Sequence, residues 1–283
     1  MSENFFLGCV SREPRSGFPA ILGCPLDMTS TYRKGSDKAP QAIRASSESI
    51  ETYSPFFDRD ITDFFFSDSG DLDLTGQTLE SALDKIEAEV SQILRGSAVP
   101  LCIGGEHTIT LPIIKALKNA FDDFVVIHAD AHSDLRDDYE GSFINHATVV
   151  RRAAEIIGPS RLVQLGVRSG TREEFQWMSE NATLMQWVPG AEKALLKRIL
   201  GRPVYLTLDL DVLDPACMPA TGNPEAGGWH YADLERLFAV LSRHNLVGAD
   251  VVELNPRLDA SEVGAVTAAK IVRELLLALR KKG

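Results

Sequence analysis

The sequence lacks the cysteine pattern that a disulfide-rich domain or a zinc knuckle would need. Its four cysteines are widely spaced and form no Cys-x-x-Cys pair: they are Cys9, Cys24, Cys102 and Cys217. Neither a disulfide framework nor a cysteine-based zinc site is therefore indicated. Cys24 and Cys102 lie in apolar stretches, where a free cysteine usually behaves as a small buried hydrophobic residue.

Long apolar runs and an excess of positive charge are also lacking. No run approaches the roughly 18 residues of a membrane span, and residues 1–4 lack the basic start of a secretory signal. The formal net charge of −11 opposes nonspecific binding to nucleic acid or anionic membranes and is compatible with cationic substrates. We therefore predict a cytoplasmic protein with neither a membrane nor a nucleic-acid partner.

What the sequence does contain is an alternation of strand-length apolar runs with longer amphipathic segments. The chain has 283 residues and no segment that looks like a linker, which predicts one domain over residues 1–283. The alternation is typical of a parallel sheet flanked by helices and predicts a three-layer α/β/α fold with a central, mostly parallel sheet. The predicted strands cover residues 20–24, 99–103, 124–129, 162–167, 183–187, 204–210 and 246–254. The predicted helices cover residues 40–50, 79–94, 147–157, 171–179, 191–200, 231–243 and 261–281.

Two acidic motifs follow predicted buried strands. The segment HADAHSD, at residues 128–134, places Asp130, His132 and Asp134 at alternate positions, and a later segment does the same with Asp209 and Asp211. Alternate residues of an extended chain point the same way, so neighbouring strands could direct all five side chains into one volume.

Such a convergence of four carboxylates requires cations, because burying even one unpaired anion costs several kcal/mol. Five ligands are too many for one tetrahedral zinc ion, whereas carboxylate-rich sites with few histidines suit manganese and similar hard ions. Metal pairs about 3.5–4 Å apart activate water for hydrolysis. One isolated Asp-x-Asp would more simply cap a helix or lie in a solvated loop, but two such motifs after buried strands favour a site for two metals.

A further histidine lies at the same predicted edge of the sheet. Residues 99–103 are followed by GGEH, in which the glycines permit a tight turn and His107 comes next. Ligands gather at the carboxyl ends of parallel strands. A histidine after Gly-Gly is by itself more often packed or part of a helix cap, but beside the two acidic motifs His107 is predicted to be a ligand.

Together these segments resemble the signatures of the ureohydrolase family, which includes arginase and agmatinase. The matching segments are GGEHT (104–108), DAHSD (130–134), DLDVLDP (209–215), PEAGG (224–228) and DVVELNP (250–256). The resemblance begins at about residue 23 and covers nearly the whole chain. It implies an arginase-like fold and a homo-oligomer, either a trimer or a hexamer.

The resemblance also implies a role for each ligand. His107 and Asp134 would hold one Mn²⁺ ion, His132 and Asp211 would hold a second, and Asp130 and Asp209 would bridge the two. Members of the family use a water or hydroxide between the ions to attack the central carbon of a guanidinium group, which releases urea and an amine.

Three side chains carry the remaining catalytic roles that the resemblance implies. Glu225 would bind the planar guanidinium through paired hydrogen bonds. His146, which matches the family's loop histidine although Ala147 stands where glycine is common, would transfer a proton to the leaving amine. Asp134 would also accept a hydrogen bond from the nucleophile.

Residues 26–36 and 166–169 look most like agmatinase-type members, which predicts agmatine as the small cationic substrate and putrescine plus urea as products. Acidic residues in the loop 136–145 could favour a substrate tail that ends in ammonium. The alternatives are aminopropylagmatine, guanidinobutyrate, arginine or formiminoglutamate as substrate, and a noncatalytic metal-binding relative. A single-zinc deacetylase of similar architecture would leave His107, Asp134 and Asp211 without a role.

Four other polar residues near these motifs are expected to support the site rather than to bind metal. His128 is expected to be packed or to contact a ligand rather than to bind metal. Glu106 stands where many family members have aspartate, an exchange that we expect to be tolerated. Asp250 and Glu253 are expected to orient ligands from behind.

Overall fold

The computed structural model describes residues 5–280 of the chain. The prediction about a secretory signal at residues 1–4 lies outside the described residues. The last helix, predicted over residues 261–281, covers only Val263–Leu279, because Arg280 has an extended backbone. Within that range, no helix combines the length and the apolar composition that crossing a bilayer requires.

Ten strands and eight α-helices alternate along the described chain. The strands are β1 (Pro19–Cys24), β2 (Tyr53–Ser54), β3 (Arg59–Asp60), β4 (Ser67–Asp71), β5 (Val99–Gly104), β6 (Val125–Ala129), β7 (Leu162–Leu165), β8 (Leu184–Met185), β9 (Val204–Asp209) and β10 (Leu246–Val252). The α-helices are α1 (Ala39–Ser47), α2 (Leu79–Arg95), α3 (Thr110–Ala120), α4 (Val149–Ile157), α5 (Arg172–Asn181), α6 (Glu192–Ile199), α7 (Tyr231–Leu241) and α8 (Val263–Leu279).

Eight of these strands form one sheet, in the order β4-β1-β5-β10-β9-β6-β7-β8. Every pair of neighbours in it is parallel, while β2 and β3 form a small antiparallel hairpin apart from it. The predicted central parallel sheet is therefore confirmed.

Both faces of the sheet are covered by helices, because successive residues of each buried strand point to opposite sides. Ile21 and Leu101 pack into a core with α1, α6, α7 and α8. Their neighbours Leu22 and Cys102 pack on the other face with α2, α3 and α4. This two-sided burial confirms the three-layer arrangement and explains why the strands are apolar at nearly every position.

Four elements of the structure were not predicted: the hairpin strands β2 and β3, the edge strand β4 and the helix α3. Several predicted strands are also shorter than expected. The strand predicted at 183–187 has only two residues, in β8. The strand predicted at 204–210 ends at Asp209, because the Asp209 carboxylate accepts a hydrogen bond from the backbone N–H of Asp211 and turns the chain into a short 3₁₀ helix.

The four central strands of the sheet bring distant segments to one edge. β5, β10, β9 and β6 are consecutive neighbours, and their carboxyl ends lead directly to His107, Glu253, Asp209 and Asp130. The candidate site therefore lies at the carboxyl edge of the sheet, as parallel topology predicts.

Candidate metal centre

His107 is positioned by a turn that only glycine permits. After β5 the chain passes through Gly105, where an added Cβ would lie 1.8 Å from the backbone oxygen of Leu26. The backbone N–H of Glu106 donates to the same oxygen at 2.8 Å. His107 then begins a 3₁₀ helix and is 1% exposed, so its ring is enclosed by the protein at the sheet edge.

The DAHSD motif converges through a turn rather than through continued strand. β6 ends at Ala129, and Asp134 adopts a left-handed backbone with φ of 51°. Its carbonyl accepts hydrogen bonds from the first turn of α4, at the N–H groups of Val150 and Arg151. The alternation of side chains that the sequence predicts for an extended chain therefore does not continue to Asp134. The turn, rather than a strand, directs the Asp134 carboxylate toward the site.

The six predicted ligands form two clusters that share Asp130. Nδ1 of His107 lies 3.1 Å from Asp130 Oδ2, 3.1 Å from Asp134 Oδ2 and 3.3 Å from Asp209 Oδ2. Nδ1 of His132 lies 2.8 Å from Asp211 Oδ2 and 3.6 Å from Asp130 Oδ1. The structure therefore brings together the side chains that the sequence placed in one metal site.

The buried carboxylates of these clusters raise the pKa values of their neighbours, which shows that positive charge is favoured in the site. Burial raises the pKa of Asp209 well above its ordinary value, and the neighbouring carboxylates Asp211 and Asp130 raise it further. Burial alone would lower the pKa of His132, but Asp211 and Asp130 raise it to about 12. The carboxylates thus favour any arrangement that adds protons or cations to the site.

The donor atoms fit a pair of divalent metal ions. Nδ1 of His107 is buried and makes no hydrogen bond within residues 5–280, although three carboxylate oxygens surround it. Buried polar atoms are seldom left without a partner. A set of four carboxylates and two imidazoles suits manganese or a similar ion, and the two potential ligand groups, one around His107 and one around His132, supply two places for it.

His128 belongs to the potential ligand group around His107, but its ring contacts the shared carboxylate of Asp130. Its Nε2 is 2.8 Å from Asp130 Oδ2, and its Nδ1 is 3.3 Å from the amide nitrogen of Gln164. The hydroxyl of Thr183 donates to the amide oxygen of Gln164, which directs the amide nitrogen toward His128. His128 therefore accepts at Nδ1 and donates at Nε2 to Asp130, as expected for an orienting residue.

His146 lies at a cavity beside the two clusters. The cavity has a volume of ≈ 290 Å³ and is lined by His107, His132, Asp134, His146 and Glu253, among others. Nδ1 of His146 is buried and has no hydrogen-bond partner among the described residues. The predicted loop histidine is thus within the candidate active site and retains a free ring nitrogen.

Glu225 occupies a less direct position than predicted. Within the described part of the chain the cavity lining includes Asn223 but not Glu225. The backbone carbonyl of Glu225 accepts a hydrogen bond from the guanidinium of Arg168, which also donates to the carbonyl of Asp211 at 2.8 Å. Arg168 therefore ties the Glu225 loop to the metal ligands.

Two acidic residues, Glu253 in the cavity lining and Glu106 next to His107, accept hydrogen bonds from the backbone around the site. Glu253 Oε1 accepts the N–H of His107 at 2.7 Å, and burial raises the pKa of Glu253 to about 8. Glu106 accepts hydrogen bonds from the N–H groups of Thr29 and Ser30 at 2.7 and 2.9 Å. The contact of Glu253 with His107 is consistent with the expectation that Glu253 orients a ligand. The contact of Glu106 with the loop that contains Thr29 and Ser30 could not be predicted from the sequence.

Thr207 is a further residue that the sequence analysis missed. Its hydroxyl is 2.9 Å from Nε2 of His107. The signal was available, because Thr207 stands two positions before Asp209 on β9 and so shares its side of the strand.

Comparisons with known proteins cover nearly the whole chain. A sequence model of the arginase family matches residues 19–278. The chain is 44% identical over 265 residues to an agmatinase of Bacillus subtilis, covering 92% of this chain and 91% of that protein. It is 34% identical over 278 residues to a guanidinobutyrase of Pseudomonas aeruginosa, covering 92% and 86%. The solved agmatine ureohydrolase of Thermoplasma volcanium superposes with a TM-score of 0.88 at 31% identity, covering 99% of this chain and 95% of that one.

Proposed function

Since this chain belongs to the arginase family, we propose that it is a binuclear manganese hydrolase that converts agmatine and water into putrescine and urea. The observation that carries the proposal is the position of Asp130, which contacts His107 with one carboxylate oxygen and faces His132 with the other, beside a cavity. A single-zinc site would leave one of the two clusters unused.

The residues that we propose to hold the metals are those that the family resemblance implies. His107 and Asp134 would bind one ion and His132 and Asp211 the other, with Asp130 and Asp209 between them. The contacts of Asp130 support this assignment, because one of its oxygens faces His107 and the other faces His132. Two ions held there would supply Lewis-acid activation of water for hydrolysis of the guanidinium group.

His146 is the residue that we propose to protonate the leaving amine. The carbon–nitrogen bond breaks readily only if the departing nitrogen gains a proton, and an imidazole can donate one near neutral pH. Support comes from the free Nδ1 of His146 and from its place in the cavity lining. Its backbone N–H donates to the hydroxyl of Thr29 at 3.1 Å, which holds the loop in place.

Two carboxylates are proposed to orient the reacting groups. Asp134, which lines the cavity, would accept a hydrogen bond from the attacking water. Glu225 would bind the guanidinium through paired hydrogen bonds. Its neighbour Asn223 reaches the cavity, which supports a place for Glu225 at the rim.

Agmatine is proposed from the relatives rather than from the acidic loop. In that loop Asp137 pairs with Arg152 and Asp138 accepts the N–H of Gly141 at 3.1 Å, so both are engaged within the protein. The loop therefore adds little support for an ammonium tail. Manganese as the native ion, the cytoplasmic location and the trimeric or hexameric assembly also remain predictions.

The test is urea release by manganese-loaded protein from agmatine, aminopropylagmatine, 4-guanidinobutyrate and arginine. We expect kcat/KM for agmatine to exceed that for each carboxylate-tailed guanidine by about 10² or more, since unpaired buried charge discriminates strongly. Formamide release from formiminoglutamate tests the remaining substrate. Comparable or higher kcat/KM with guanidinobutyrate or arginine would contradict the choice of agmatine. Two bound metals without turnover of any substrate would instead indicate a noncatalytic relative.

A further inference from the structure

A buried chain of hydrogen bonds lies behind His107, on the side opposite the carboxylates. Nε2 of His107 is 2.9 Å from Oγ1 of Thr207, and that oxygen is 2.7 Å from Oδ1 of Asp250. His107, Thr207 and Asp250 are each at most 1% exposed. Solvent therefore cannot easily substitute for any partner in this chain.

Asp250 receives hydrogen bonds from three hydroxyl groups. Oδ2 accepts from Thr110 at 2.9 Å and from the phenol of Tyr205, while Oδ1 accepts from Thr207. Burial raises the pKa of Asp250, while the three convergent donors favour its ionised form. An ionised carboxylate has only acceptor sites. The proton of the Thr207 hydroxyl is therefore directed to Asp250.

This assignment fixes the direction of the next hydrogen bond. A threonine hydroxyl has one proton and two acceptor lone pairs. Because the Thr207 proton points to Asp250, its oxygen must accept from Nε2–H of His107. A neutral imidazole carries only one N–H, so Nδ1 of His107 keeps its lone pair toward Asp130, Asp134 and Asp209.

We propose that Thr207 and Asp250 are positioning residues that hold His107 in the tautomer required for metal binding. The inference rests on the proposed metal pair and identifies what prepares one of its ligands. Without the Thr207 acceptor, the proton of neutral His107 is free to move to Nδ1, where it would donate to a carboxylate and block the metal. Partners of this type typically change metal affinity by about 10–100-fold.

The decisive variant is Thr207→Val, which has nearly the same shape and lacks the hydroxyl. Metal-free protein would be titrated with Mn²⁺ against a fluorescent chelator, and its thermal unfolding measured separately. We expect one of the two ions to bind about 10–100-fold more weakly while the metal-free variant still unfolds cooperatively. Thr207→Ser, which restores the hydroxyl, should bind both ions nearly as the original protein does.

Two further variants separate proton direction from packing. Thr110→Val also removes a hydroxyl from Asp250. The Thr110 hydroxyl is 3.1 Å from that of Thr207 but makes no hydrogen bond with His107, so we expect Mn²⁺ affinity to fall far less than in Thr207→Val. In Asp250→Asn, the amide oxygen would take the place of Oδ2 and still accept from the hydroxyls of Thr110 and Tyr205. The amide nitrogen would then face Thr207. That nitrogen would donate to Thr207 and reverse the hydrogen bond with His107, so we expect the same loss of affinity as in Thr207→Val.

The outcomes also distinguish this role from the proposed function. If the original protein binds two Mn²⁺ ions and Thr207→Val and Asp250→Asn bind both equally well, the positioning role is wrong and the metal pair stands. A merely structural role would lower the unfolding temperature of Thr207→Val without changing Mn²⁺ affinity. If the original protein binds fewer than two ions, the proposed function fails and the positioning role fails with it.

Discussion

At the scale of single residues, Glu106 connects the metal centre to the catalytic loop. Its carboxylate is fully buried and accepts from the backbone N–H and the hydroxyl of both Thr29 and Ser30. Thr29 in turn accepts the backbone N–H of His146 at 3.1 Å. Glu106 therefore links the residue before His107 to the proposed proton donor.

Replacing Glu106 by methionine should lower kcat and leave the metal content unchanged. Methionine has a similar length but no strong acceptor, so the donors of Thr29 and Ser30 would lose their partner at about 1–3 kcal/mol each where they stay buried. The Thr29 hydroxyl would shift and carry His146 away from its place. Urea release and metal analysis of the purified variant measure the two effects.

Glu106→Gln is the matched control for this experiment. Its amide oxygen can keep the three hydrogen bonds at Oε2, and its amide nitrogen can donate to the Thr29 hydroxyl. We expect Glu106→Gln to retain most of the activity, and His146→Ala to resemble Glu106→Met. Equal loss in the methionine and glutamine variants would show that charge, rather than the loop, explains the effect.

At the scale of elements, the turn after β5 depends on close backbone contact with the loop after β1. The N–H of Gly105 donates to the carbonyl of Cys24 at 2.9 Å, and its carbonyl accepts from the N–H of Glu253 at the same distance. A Cβ at Gly105 would meet backbone atoms of Leu26 at 1.8–2.8 Å. Backbone cannot rotate away as a side chain can, so this position excludes larger residues.

Gly105→Ala should lower the free energy of unfolding by roughly 1–3 kcal/mol, the usual cost of overpacking. Gly96→Ala is the control, because Gly96 has φ of −73° and its Cβ would meet only Ile93 O at 3.4 Å and Gln92 O at 3.6 Å. There we expect no loss, or a gain of about 0.4–1 kcal/mol from the restricted unfolded chain. Urea unfolding followed by circular dichroism compares them, and equal stability would contradict the steric argument.

The missed elements show which signals the sequence does not carry. The strand β4 has the polar sequence SDSGD. It pairs with β1 through the backbone, and its Asp68 forms a buried ion pair with Arg44 at 2.8 Å, so no apolar run marks it in the sequence. α3 was missed because its residues from Leu111 to Leu117 are almost all apolar and mostly buried, so no polar face marks a helical period. The central strands were predicted well because they are buried at every position and are therefore apolar in the sequence.

At the scale of the whole molecule, the sheet topology explains why the ligands could be predicted from the sequence. Ligands from residues 107 to 211 meet because β5, β9 and β6 end at one edge of a parallel sheet. Contacts between loops could not be predicted from the sequence in this way, because the order of the strands does not fix them. The bond of Glu106 to Thr29 spans 77 residues and depends on how two loops fold over that edge, and the same holds for the position of Glu225.

The most direct measurement is the number of manganese ions per chain after loading and removal of excess metal. We expect two ions per chain in the original protein and in His146→Ala, and loss of both in Asp130→Asn, because Asp130 faces both His107 and His132. One ion or none in the original protein, or two retained in Asp130→Asn, would contradict the shared binuclear centre.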